Sequence, residues 1–180
     1  LLFGFSEFAA RLPAALLGSG CVMLTYWLAR SMFGPVVAFL SGLVLATCSE
    51  YIVLSRVVVL DISLAFFVTL ALTLFLIGYK NEKQRKPAFL VGYAALGFAA
   101  LAKGPVGVVL PMMIIGLFLI CKRQLWFLKE MQIAWGLFIF LAVAAPWYIL
   151  MSVRNPDYSE YFFLKQNIGS FLSQQSRHPK

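Results

Sequence analysis

Charged residues cut the chain into long apolar segments. Charge-free stretches run through residues 12–29, 31–49, 62–79, 87–102, 104–121 and 131–153, with lengths of 18, 19, 18, 16, 18 and 23 residues. A helix crossing a hydrocarbon core about 30 Å thick needs about 20 apolar residues, in a range of about 17–25. The shortest segment, 87–102, extends through Lys103 if that side chain snorkels or faces protein. The segments are continuously apolar rather than alternating, which argues against a closed β-barrel. The pattern predicts an all-α membrane fold, a polytopic bundle of about six transmembrane helices. Pro13, Pro35, Pro87 and Pro105 stand at segment starts, where a missing N–H costs least, while Pro111 and Pro146 lie inside and predict kinks. Small residues (Ala14, Ala15, Gly18, Gly20, then Gly92, Ala95 and Ala99) mark faces for close helix packing.

Composition agrees and narrows the class. Apolar residues make up 62% of the 180, and charged residues only 12%, about half the share of a soluble domain. So little charge excludes a water-soluble globule, a disordered tail and a disulfide-stapled secreted module. The net charge of +8 comes without a long basic run or an aromatic platform beside one. Anionic membrane lipids are therefore the expected counter-charge, with no nucleic acid. Cys21, Cys48 and Cys121 lie in or at the ends of segments without ligand spacing, and read as small apolar residues.

Six crossings place both ends of the chain on one side. The connections around residues 30–34, 80–86 and 121–130 share the other side, with eight basic residues in short loops. The segment KNEKQRK is the densest basic cluster, so this side is assigned to the cytoplasm and both ends to the outside. Five of the seven acids, Glu7, Glu50, Asp61, Asp157 and Glu160, then fall outside. Residues 1–153 form the expected transmembrane core. Residues 154–180 form an outer loop, in which Tyr161, Leu164, Ile168 and Phe171 at helical spacing predict an interfacial amphipathic helix. The chain begins with Leu rather than Met, as an excerpt from a longer protein would.

The outer-side polar residues are the candidates for chemistry. Glu7 and Arg11 are four apart, so a helix pairs them on one face, either as an interfacial anchor or with Glu7 as a metal-binding or ligand-contacting carboxylate. Arg56 stands among aliphatic residues at the membrane surface, where a guanidinium suits a phosphate. Asp61 opens a helix, as an N-cap or as part of a site. Lys103 interrupts 34 otherwise charge-free residues from Pro87 to Cys121, and needs either a headgroup to snorkel to or an anion to bind. Gly104 and Pro105 then force a break between two helices. His178, the one histidine, makes no metal site alone but could join Glu7 across the surface.

In order, FSEFAARLPAAL, RSMFGPVVAFLSGLVLATC, SRVVVLDISLAFFVTLAL, YAALGFAALAKGPVGVVLP and AAPWYILMSVRNPDYSEYFF, before a polar RHPK end, form a set. The set resembles the membrane-embedded, lipid-carrier-dependent glycosyltransferases of the GT-C superfamily, in particular aminoarabinose:lipid A transferases and protein-mannosyltransferase-like relatives. The resemblance implies an enzyme of the bacterial inner membrane, with its site on the periplasmic face. Its donor would be a polyprenyl-phosphate sugar and its acceptor a lipid or glycan of the envelope, such as lipid A, with inversion at the sugar. It implies Asp61 as an aspartate organising the active site, Lys103, Arg56 and Arg11 as substrate- and phosphate-binding positions, and Glu7 with His178 at a metal. That metal would be a divalent ion such as zinc, magnesium or manganese. The family's catalytic acid lies just upstream of the EFAAR motif, which here means before Leu1. The competing reading is a polytopic transporter or lipid flippase, which would place polar residues at mid-bilayer or show inverted repeats.

Overall fold

The computed structural model describes residues 7–57 and 60–154, with side chains from Arg11 onward. The amphipathic helix expected after residue 154, His178 and the side chain of Glu7 lie outside the described residues. All regular structure among the described residues is helical: α1 (Glu7–Phe33), α2 (Pro35–Thr47), α3 (Ser49–Arg56), α4 (Leu60–Lys80), α5 (Arg85–Lys103), α6 (Val106–Cys121) and α7 (Ile133–Arg154). Short 3-10 turns at Glu82–Gln84 and Leu125–Lys129 occupy two of the basic connections.

Each apolar segment of the sequence coincides with helix, but not every helix is a simple span. Arg11–Phe33, Leu60–Lys80 and Ile133–Arg154 are long and apolar enough to cross a membrane, and α2 with α3 makes up to a fourth crossing. That pair is broken at Cys48, whose backbone is extended, and its halves are bent by 62°. The break falls where the apolar run gives way to TCSE, and the Thr47 hydroxyl donates back to the Leu43 carbonyl at 2.8 Å, a bond that competes with helix continuation. With 16 residues, α6 is shorter than α1, α4, α5 and α7. Among the described residues of this polytopic membrane protein, three crossings, or four with the bent pair, thus stand clear by length and composition.

The chain divides into two compact units, residues 1–143 and 144–180. Described residues of the second unit are the last turns of α7, with Trp147, Ile149 and Val153 exposed. In the first unit, α1 and α4 run side by side in the same direction. Gly18 faces Ile62 and Gly20 faces Phe66, the Cys21 thiol approaches the Thr69 hydroxyl, and the Lys80 ammonium donates to the Ser31 carbonyl. α5 returns antiparallel to α4 with Gly92 against Leu74, and Ala95 and Ala99, read from the sequence with Gly92 as a small-residue face, are buried. α6 then approaches so closely that a Cβ on Gly107 would strike the Ala99 carbonyl.

The core of this unit is aromatic and sits toward the basic connections. Phe75, Phe89, Tyr93, Leu119, Phe127 and Met131 form it, with Tyr79 and Phe118 packed against them. Outward faces are as apolar as the interior: Trp27, Val36, Phe39, Val44, Val109 and Phe138 are exposed. Apolar surface on this scale requires lipid around it.

Candidate functional site

The break between α5 and α6 builds a charged contact between two of the predicted site residues, Asp61 and Lys103. α5 stops at Gly104, which adopts φ 68° and ψ −143° and gives its N–H to the Ala100 carbonyl at 2.7 Å. A side chain would be strained in that conformation, so glycine is required. Pro105 follows with φ −57° and opens α6. Lys103 is thereby fixed in the last turn of α5, and its ammonium donates to Asp61 Oδ1 in the first turn of α4. Each charge stands at the helix end whose dipole favours it, the carboxylate at an N-terminus and the ammonium at a C-terminus. About half of the Lys103 side chain and 41% of the Asp61 side chain stay exposed. An ammonium carries three donors, so Lys103 keeps two for another acceptor.

The remaining candidates lie on neighbouring elements. Arg11 is in the second turn of α1 and is exposed, at the same end of the bundle as Asp61 because α1 and α4 run parallel. Arg56 closes α3 and is exposed. α3 is held on α1 by Tyr51, whose hydroxyl donates to the Gly18 carbonyl at 2.8 Å, and by Ser55 packed over Gly18. Glu7 is the first residue of α1. The structure therefore brings Asp61 and Lys103 into contact and puts Arg11 and Arg56 on adjoining helices at that end. No group of three or more His, Cys, Asp or Glu side chains stands together among the described residues.

A groove that the charged residues did not announce adjoins this end. It has a volume of about 790 Å³ and lies between α1, α2, α3 and α4. Valine and leucine side chains of α2 form one wall, while Cys21, Thr25, Tyr51 and Thr69 bring polar atoms to the other. Tyr51 was missed because a single tyrosine in an apolar stretch carries no periodic signal. Gly18, which receives its hydroxyl, was visible only as a small residue.

At the opposite end the basic connections converge. Arg85 pairs with Glu130, donates from Nε to the Gly78 carbonyl at 3.3 Å, and lies over the Phe127 ring, 5.1 Å from its centre. The Tyr79 hydroxyl donates to Gln124 Oε1 at 2.7 Å. With the Lys80–Ser31 bond, these contacts bring together the three connections that the sequence assigned to one side.

Residues 1–150 match the family described as dolichyl-phosphate-mannose-protein mannosyltransferase. The chain is 34% identical to an uncharacterized protein of Aquifex aeolicus over 99% of this chain and 39% of that one. It is 29% identical to the undecaprenyl phosphate-alpha-4-amino-4-deoxy-L-arabinose arabinosyl transferase of Aeromonas hydrophila, over 98% of this chain and 33% of that protein. Its fold superposes with a TM-score of 0.84 and 31% identity on the crystal structure of ArnT from Cupriavidus metallidurans bound to undecaprenyl phosphate, covering 92% of this chain and 31% of that one. The chain thus spans between three and four tenths of the length of these relatives.

Proposed function

This chain belongs to the dolichyl-phosphate-mannose-protein mannosyltransferase family and, within the GT-C superfamily, to its ArnT-like members, and from that premise we propose that it is part of a glycosyltransferase that moves a sugar from a polyprenyl phosphate to an envelope acceptor such as lipid A. The observation that carries this reading is the half-exposed Asp61–Lys103 pair at the α5–α6 break, in a fold that superposes on a protein holding undecaprenyl phosphate.

The chemistry follows from the charges. The bond between the sugar's anomeric carbon and the phosphate oxygen breaks, and a bond from the acceptor oxygen to that carbon forms on the opposite face, inverting the centre. The phosphate leaves with the bonding electrons. Lys103 stabilises that developing charge with the two donors Asp61 does not use, and Arg56 and Arg11 add positive potential from the neighbouring helices. Asp61 orients the ammonium. The carboxylate that takes the acceptor proton is assigned, by resemblance, to a position before Leu1. The groove lined by α1, α2, α3 and α4 offers the apolar wall of α2 to the donor's polyprenyl chain.

In this reading all six apolar segments cross the membrane, the bent α2–α3 pair and α6 included, and the Asp61 end faces the periplasm of a bacterial inner membrane. Glu7 and His178, which the resemblance associates with a divalent metal, lie outside the described side chains. The described residues add no ligand cluster to them. The test is to supply the intact protein, in liposomes, with an undecaprenyl-phosphate-linked sugar and lipid A. Glycosylated acceptor appearing with free undecaprenyl phosphate supports the proposal, and translocation of the donor with its sugar still attached would replace it with a flippase.

A further inference from the structure

The basic end of the bundle carries a second cavity, remote from the Asp61–Lys103 pair. Its volume is about 250 Å³, and its walls are Phe75 of α4, Phe89 and Tyr93 of α5, Gly116 of α6, and Leu128 and Met131 after it. Almost all of its surface is carbon. The exposed Met112, Leu128 and Ile133 stand at its edge, so it opens sideways toward lipid rather than into the core.

The segment that closes this cavity is held in an unusual backbone. α6 ends in a Schellman turn: the Gln124 N–H reaches the Leu119 carbonyl at 3.0 Å and the Arg123 N–H reaches the Ile120 carbonyl at 2.9 Å. Arg123 occupies the left-handed position of that turn, with φ 56°, where glycine is the favoured residue. The 3-10 turn Leu125–Lys129 then lies with Phe127 buried and Leu125 and Trp126 exposed, the arrangement of an interfacial anchor. Lys122, Arg123, Lys129 and, from the start of α5, Lys86 are all exposed around it. Arg123 thus carries its charge at a position where the backbone favours glycine.

We propose that this end holds one anionic phospholipid of the adjacent leaflet, its phosphate among Lys122, Arg123 and Lys129 and one acyl chain in the cavity behind Leu128. The charge complementarity selects an anionic headgroup, and the sideways opening selects a chain arriving from the bilayer. A basic residue near such a surface contributes about 1 kcal/mol toward anionic lipid, so each charge removed weakens binding by about fivefold.

Native mass spectrometry of the intact protein, titrated with phosphatidylglycerol or phosphatidylcholine, tests this. The wild type should retain phosphatidylglycerol in preference. Arg123→Gly removes the charge and relieves the backbone, so it should weaken phosphatidylglycerol binding by about fivefold while the thermal midpoint holds or rises. Lys122→Gln with Lys129→Gln should weaken it further, and the Lys→Arg pair should restore it. Gly116→Leu should lower retention of either lipid, since a Cβ there meets nothing within 4 Å and grows into the cavity. Equal retention of the two lipids by the wild type, unchanged binding by Arg123→Gly, or unchanged retention by Gly116→Leu would each overturn the proposal.

Discussion

Lys103 and Asp61 combine favourable helix-end positions with substantial exposure, and this separates their contributions to stability and to chemistry. An ion pair as exposed as this one contributes about 0–1 kcal/mol to stability. Asp61→Asn is therefore expected to move the thermal midpoint of the purified protein by only a few degrees, checked by fluorescence-monitored melting. Glycines show the opposite dependence on surroundings. A Cβ at Gly107 would meet the Ala99 backbone, which cannot swing aside, so Gly107→Ala should destabilise by about 1–3 kcal/mol. Gly116→Ala, into open space inside a helix, should stabilise by up to about 1 kcal/mol. The same melting experiment checks the two opposite signs. Gly104 and Pro105 were legible as a helix break because each residue type has one backbone use. Arg123 was not, since nothing in its side chain signals a left-handed turn.

At the scale of elements, the apolar segments located the helices because charge is costly in hydrocarbon and so marks their ends. Lys80, Arg85, Lys103 and Arg154 each close or open a helix. The bend at Cys48 was harder to see, since neither Gly nor Pro stands there and the signal is the short polar run TCSE. Arg85 joins three partners at the basic end: the Glu130 carboxylate, the Gly78 carbonyl and the Phe127 ring. Arg85→Ala leaves Glu130 part-buried without its charge partner, and should cost about 1–3 kcal/mol. Arg85→Lys should recover only part of this, because an ammonium reproduces neither the fork nor the stacking. Chemical denaturation in a fixed detergent measures both.

For the whole molecule, the arrangement into two charged ends was legible from the alternation of segments. The Lys80–Ser31, Tyr79–Gln124 and Arg85–Glu130 contacts join the loops that this alternation put on one side. Which helices touch was not legible, because uniformly apolar faces carry no code for a partner. The Asp61–Lys103 contact emerged only once α4 and α5 were seen as antiparallel neighbours. The proposed orientation has a direct check in a variant lacking Cys21, Cys48 and Cys121. A cysteine at Val57 should react with an impermeant maleimide from the periplasm, and one at Glu82 only after the inner membrane is opened. The central claim is that the Asp61 end transfers sugar from a polyprenyl phosphate with Lys103 on the leaving phosphate. It is tested most directly by the initial rate of sugar transfer to lipid A by the intact protein and its Lys103→Ala variant. A charged hydrogen bond made in the transition state is worth about 1.5–3 kcal/mol, so the rate should fall about 10- to 150-fold with the melting midpoint nearly unchanged. An undiminished rate in a folded Lys103→Ala protein would contradict the account.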